Sequence, residues 1–195
     1  ALRTAGPDWP ARARTADALV TLLSMTGQQE ACAQRAIEEA PRLPRGSHLA
    51  NVSVTGLECA LGVPKDAAWR AAALNRLEPL VRDALSFDGL LGDDRAALYA
   101  ALVRAREDAG DSAGARTVAE AWQTFLDQDA ARAPCAEARS ALDGYRVTAA
   151  LELGDPARAL PALQASERDL PDDYNPPARL AVVLRELRRY DEALA

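Results

Sequence analysis

Few side chains in this sequence can act as nucleophile, base or metal ligand. His48 is the only histidine among 195 residues, so any Ser/His/Asp or Cys/His arrangement has to use it. It follows Ser47 at the start of a helix that the spacing predicts, and a cap-region or solvent-facing role accounts for it better than a catalytic base. No Cys or carboxylate flanks it at ligand spacing, so no metal is expected. The three cysteines, Cys32, Cys59 and Cys135, form no CxxC pair, which argues against a zinc site and a dithiol redox motif. Cys32 and Cys59 lie about equally far on either side of Pro44, and antiparallel helices would bring them face to face. A disulfide between them is geometrically permitted; the preferred alternative is two buried thiols acting as small apolar residues. Cys135 stands alone near a helix start. The acidic pairs Asp93-Asp94 and Asp172-Asp173 read as helix-entrance charges favoured by free amides rather than as acid/base dyads. Glycines occur singly, without a phosphate-cradling loop, so no nucleotide or other cofactor is expected and no catalytic residue is assigned.

These residues must be positioned by helices. Alanine supplies 44 residues and aromatics only 5%, so much of the apolar content is small and helix-favouring. Apolar residues recur every three or four positions, as in Leu19, Leu22 and Leu23, and no strand-length segment alternates, which predicts an all-α chain. Starts are marked by Asp8, Ser47, Asp66, Asp93-Asp94, Asp111 and Asp155-Pro156. Stops are marked by Gly27, Pro41 and Pro44, Gly62, Gly92, Gly110, Pro134, Gly154 and Pro171. About ten helices result, the fourth kinked or split by Pro79. No apolar run is long enough to span a membrane, so no membrane insertion is expected. The net charge of −6, without basic runs, makes nucleic acid a poor partner. One lysine against 22 arginines reads as codon bias of a GC-rich bacterial genome.

Tight glycine turns alternate with proline-containing connectors, as repeated hairpins would require. Aligned on the turns, Gly27, Gly110, Gly154 and Arg188 are each followed five positions later by a small residue: Cys32, Ala115, Ala159 and Ala193. The last two small residues are 34 apart, and the earlier units carry insertions.

The stretch from Tyr174 to Leu194, with Leu180, Ala181, Leu184, Tyr190 and Ala193 at packing positions, resembles a tetratricopeptide (TPR) repeat. The preceding unit fits in its second helix through Ala159, Leu163 and Pro171, while Asp143 and Val147 depart from the pattern in its first; units around Tyr99 and Leu19 match loosely. Residues 134–195 are the most repeat-like, 1–133 are divergent, and 47–90 fit no consensus. The resemblance implies one repeat domain over 1–195, a right-handed α-solenoid of about five hairpins, with an inner surface lined by the first helix of each pair. With Asp93-Asp94-Arg95, Ser166-Glu167-Arg168-Asp169 and Asp173 to Arg179, the chain also resembles the repeat region of bacterial proteins in which a thioredoxin-fold domain precedes TPR units. That likeness implies a fragment of a longer chain, cytoplasmic or periplasmic, and export would favour the Cys32–Cys59 bridge.

Register places Arg104, Tyr145, Thr148, Asn175 and Arg179 toward the inner surface, where they are candidates to bind a peptide or partner protein, with ordinary solvated surface as the equal alternative. Arg179, Glu167 and Arg95 are also candidates for ion pairs between hairpins. Lys65 matches no carboxylate-clamp position, which disfavours chaperone-tail binding. The sequence thus points to a non-catalytic interaction scaffold. The alternatives are the substrate-recognition part of a thiol-disulfide oxidoreductase with its active site elsewhere, or a helical oligomerisation module.

Overall fold

The structure, a computed structural model, describes residues 9–194. Among these the chain is all-helical, with no strand. It divides into two compact units, Ala1–Asp111 and Ser112–Ala195.

The first unit holds α1 (Arg12–Met25), α2 (Gln29–Glu39), α3 (Ser47–Leu61), α4 (Arg70–Leu85) and α5 (Gly92–Asp108), with a short 3-10 turn over Ala40–Arg42. Each helix packs against the next and the next but one along the chain. The burial pattern follows from this adjacency. Helix α1 buries a single stripe, Arg12, Ala16 and Val20. Helix α3, touched by the other four, buries Leu49, Val52, Leu57 and Cys59 together with the small residues Ala50, Ser53, Gly56 and Ala60.

Small residues in α3 allow this crowding. A Cβ on Gly56 would lie far inside van der Waals distance of the Ala36 Cβ on α2, and 2.9 Å from Leu77 Cδ2 on α4. Gly56→Ala improves helix propensity by about 1 kcal/mol, yet overpacking of a dense core costs about 1–3 kcal/mol. Because the closest obstruction is a Cβ on a neighbouring helix, the clash dominates and the variant is expected to lower stability by about 1–2 kcal/mol net in a denaturant titration. Pairing it with Ala36→Gly should restore part of the loss; equal stability of Gly56→Ala and the parent would refute the close approach.

The far end of this unit is held by polar groups. Arg70, 5% exposed, donates from Nε to Ala60 O at 3.0 Å, and its Nη2 lies 2.7 Å from Asp108 Oδ1 at the end of α5. Lys65, the one lysine, donates to Asp108 O at 2.6 Å. The Asp108 carboxyl lies below its ordinary range, first because Arg70 hydrogen-bonds it, with the charges of Arg70 and Lys65 adding and desolvation opposing. A carboxyl depressed in the folded state stabilises above its unfolded pKa, and that stability is lost as pH falls through the folded value. Asp108→Asn should therefore be less stable than the parent at neutral pH, and the difference should close as pH drops below about 4. A constant difference down to strong acid would show that the charge contributes nothing.

The second unit holds α6 (Ser112–Ala131), α7 (Ala136–Ser140), α8 (Asp143–Glu152), a 3-10 turn over Pro156–Ala159 leading into α9 (Leu160–Asp169), α10 (Asn175–Glu186) and α11 (Tyr190–Ala193). Val147 and Ala150 of α8, Ala159, Leu163 of α9, and Leu180, Val183 and Leu184 of α10 form one buried cluster. Trp122 of α6 is fully buried and packs at a tilt on Tyr145 of α8, with ring centroids 6.3 Å apart. Asp143, at a position where a repeat first helix would carry a large apolar side chain, is fully buried and lies 3.2 Å from Arg146 Nη1 one turn on.

The glycine-turn alignment has a backbone counterpart. Gly27, Gly110 and Gly154 all have left-handed φ, at 73°, 74° and 68°, and Arg188 shares it at 59°, the only described residue other than glycine to do so. At each turn the following amide reaches back to the carbonyl five residues earlier, as in Gln28 to Leu23, Asp111 to Arg106, Asp155 to Ala150 and Arg189 to Leu184. This double-bonded helix end needs a residue that tolerates positive φ, which glycine does without strain. Arg188→Gly relieves that strain but loosens the unfolded chain, and the first effect, about 1 kcal/mol, is the larger. The variant should gain up to about 1 kcal/mol in chemical denaturation; a loss would contradict the assigned φ.

Several expected boundaries differ. Helix α4 begins at Arg70 rather than after Asp66, and it runs unbroken through Pro79, with Leu77, Val81 and Ala84 buried around the proline. Gly92 opens α5 instead of ending a helix. Ser47 is the first residue of α3, behind Gly46 at φ 148°, and caps nothing. Asp155 precedes its 3-10 turn without a side-chain cap bond. Asp155 can favour the free amides there electrostatically without bonding them. Asp173 does bond: its Oδ1 accepts from the Asn175 amide at 2.9 Å. The expected start at Asp8 lies outside the described residues.

Candidate functional site

The residues with chemical potential are dispersed. His48 Nδ1 lies 2.8 Å from Asp17 Oδ2, tying the start of α3 to α1 on an exposed surface. No group of three His, Cys, Asp or Glu side chains that could hold a metal occurs among the described residues. A disulfide joins Cys32 of α2 to Cys59 of α3 with Cα atoms 6.3 Å apart, and both residues are buried. Sequence reasoning left that pair open, and its preferred reading as two thiols differs from the structure. Packing of α2 against α3 is what brings the two side chains within bonding reach. Cys135 is free and exposed.

The five candidate binding residues occupy both units, and each engages its own chain. Arg104 of α5 forms an ion pair with Glu58 of α3. Burial pushes the Glu58 carboxyl up, and the charge and hydrogen bond of Arg104 counteract that. In the second unit, Tyr145 packs on Trp122 and Thr148 bonds back to Gly144 O at 3.1 Å. Asn175 Nδ2 donates to Asp173 Oδ1 at 2.8 Å. Arg179 reaches from α10 to Ser140 O at 2.9 Å, and its Nε sits 3.8 Å from where a Gly144 Cβ would be. Arg179 and α8 are thereby brought together, as adjacent first helices would be. Arg95, a candidate for an ion pair between hairpins, donates to Leu85 O at 3.2 Å and also to Phe87 O beyond the end of α4.

A surface that sequence reasoning missed lies beside α10 and α11. Ala178, Ala181, Val182, Tyr190, Ala193 and Leu194 line a mostly apolar groove of about 310 Å³, with Arg185 at its rim. Tyr190 is 57% exposed and Leu194 88%. Shifting each position back by the 34-residue interval of the turns gives Gly144, Val147, Thr148, Pro156, Ala159 and Leu160. At that earlier place α10 packs on the surface: Val147 and Ala159 share a cluster with Leu180, Val183 and Leu184, and Arg179 crosses Gly144. The interval that revealed the turns could have revealed this groove as well.

Fold and site together define an all-helical protein with a repeating turn and an apolar groove. Comparison with protein-family models, curated proteins and solved structures finds no match. No helix is long and apolar enough to cross a membrane among the described residues.

Proposed function

We propose that the chain is a non-catalytic protein-interaction scaffold, a TPR-like right-handed solenoid of about five hairpins, whose groove beside α10 and α11 accepts an amphipathic helix. The observation that carries the reading is the groove of Ala178, Val182, Tyr190 and Leu194, whose internal equivalent already seats such a helix, α10. Helix-in-groove recognition uses apolar anchors at i, i+3 and i+4, the spacing at which Leu180, Val183 and Leu184 occur. Arg104, Tyr145, Thr148, Asn175 and Arg179 contribute to positioning the helices more than to direct contact. The buried bridge supports an oxidising compartment.

A lactam-stapled peptide with the sequence of residues 175–187 is the probe, measured by fluorescence anisotropy. Saturable binding is expected, weakened at least tenfold, about 1.4 kcal/mol, by Leu194→Asp in the groove. A control peptide with serine in place of its Leu180, Val183 and Leu184 should not bind. Absence of binding, or indifference to Leu194→Asp, would reject the groove as a helix acceptor.

A further inference from the structure

A second concavity, in the first unit, has a different chemistry. It lies between the Gly27 turn with the start of α2 and the loop before α4, with a volume of about 550 Å³. Its lining includes Gln28, Gln29, Glu30 and Gln34 on one side, and Val63 and the partly exposed Trp69 on the other. Gln34 Nε2 donates to Glu30 Oε1 at 3.2 Å and Gln28 Nε2 to Thr26 Oγ1 at 3.0 Å, so the carbonyl oxygens of both glutamines stay open. The Gln29 carboxamide bonds to no described side chain.

The combination selects among ligands. No lysine, arginine or histidine lines the cleft and Glu30 is its one charged side chain, so no side chain here pairs with an anion. A single indole is not the aromatic cage that holds a quaternary ammonium. Extended peptides are met by sheet edges, aromatic-lined grooves or arginine clusters, none of which is present here. Carboxamides both donate and accept, as hydroxyl groups do. An indole offers a flat apolar face beside them, on which the C–H face of a sugar ring can rest.

We propose that this cleft binds a neutral saccharide of about two rings, with Trp69 as the stacking platform and Gln29 and Gln34 as the hydroxyl-pairing groups. This goes beyond the scaffold reading and uses a different surface.

The test titrates maltose, cellobiose and diacetylchitobiose separately into the intact chain. It follows the Trp69 indole proton and the Gln28, Gln29 and Gln34 side-chain amides by NMR. For at least one sugar, saturable shifts confined to these signals are expected, with a Kd of about 1 mM. Trp69→Ala should abolish them. Gln29→Ala, a change at the cleft rim that leaves the core untouched, should weaken binding at least fivefold even if Trp69→Ala fails to fold. Shifts in none of the three at the solubility limit, shifts unchanged by Gln29→Ala, or tighter binding of a neutral tetrapeptide such as Gly-Ala-Gly-Ala would each overturn the proposal.

Discussion

Glu39→Ala is expected to cost about 3–5 kcal/mol. Glu39 ends α2 at 2% exposure, and its Oε2 lies 2.6 Å from Arg12 Nη1 on α1. Arg35 and Arg42 approach its other oxygen at 3.9 and 3.6 Å. Removing the carboxylate takes the Glu39 ion pair from Arg12, 7% exposed, in a place that water does not readily reach. A buried pair need not add net stability, because desolvating two charges offsets their attraction. The double variant Arg12→Met/Glu39→Met should therefore recover most of the loss. Urea titration of the four proteins in that cycle gives the coupling directly. Additive losses from the two single variants would mean that the pair is not a unit.

Opening the Cys32–Cys59 bridge ranks second. It closes a loop with a sequence separation of 27 residues, and the chain-entropy relation assigns a loop of that size about 3.5 kcal/mol. Reduction should lower the stability of the first unit by about that amount and leave the second unit's transition in place. On denatured, unreduced protein, thiol titration should find Cys135 alone, and all three cysteines only after reduction. Three thiols without reductant would eliminate the bridge and, with it, the support for an oxidising compartment. Cys32→Ala/Cys59→Ala serves as the control, since alanine fits the small-residue positions where α2 meets α3 and should match the reduced protein.

The two effects converge on α2. Its Cys32 is bonded to α3, its Ala36 presses against Gly56, and its Glu39 anchors α1. The residues sit at four- and three-residue steps along one helix. The same helix begins at the saccharide cleft, so loosening α2 by reduction should also weaken sugar binding without altering peptide binding at the groove beside α10.

The all-helical character, the glycine turns and the small residue after each of them were determined by sequence alone. The alignment also set Arg188 beside Gly27, Gly110 and Gly154, and the structure then gave it their left-handed φ. These features are local: backbone propensity and hydrogen bonds between residues five or fewer apart set them. The limit shows at Asp66, within the divergent stretch from 47 to 90, and at Gly92 just beyond it: both are plausible punctuation, yet α4 begins only at Arg70 and α5 opens at Gly92. Tertiary structure alone decided that Cys32 meets Cys59, that the Glu39 and Asp143 side chains are buried, and that Arg104 and Arg179 are turned to Glu58 and Ser140. Such partners lie tens of residues apart, and whether they meet depends on the rotation and depth at which two helices pack. A period of 3.6 residues names the buried face of a helix, but not the residue opposite it.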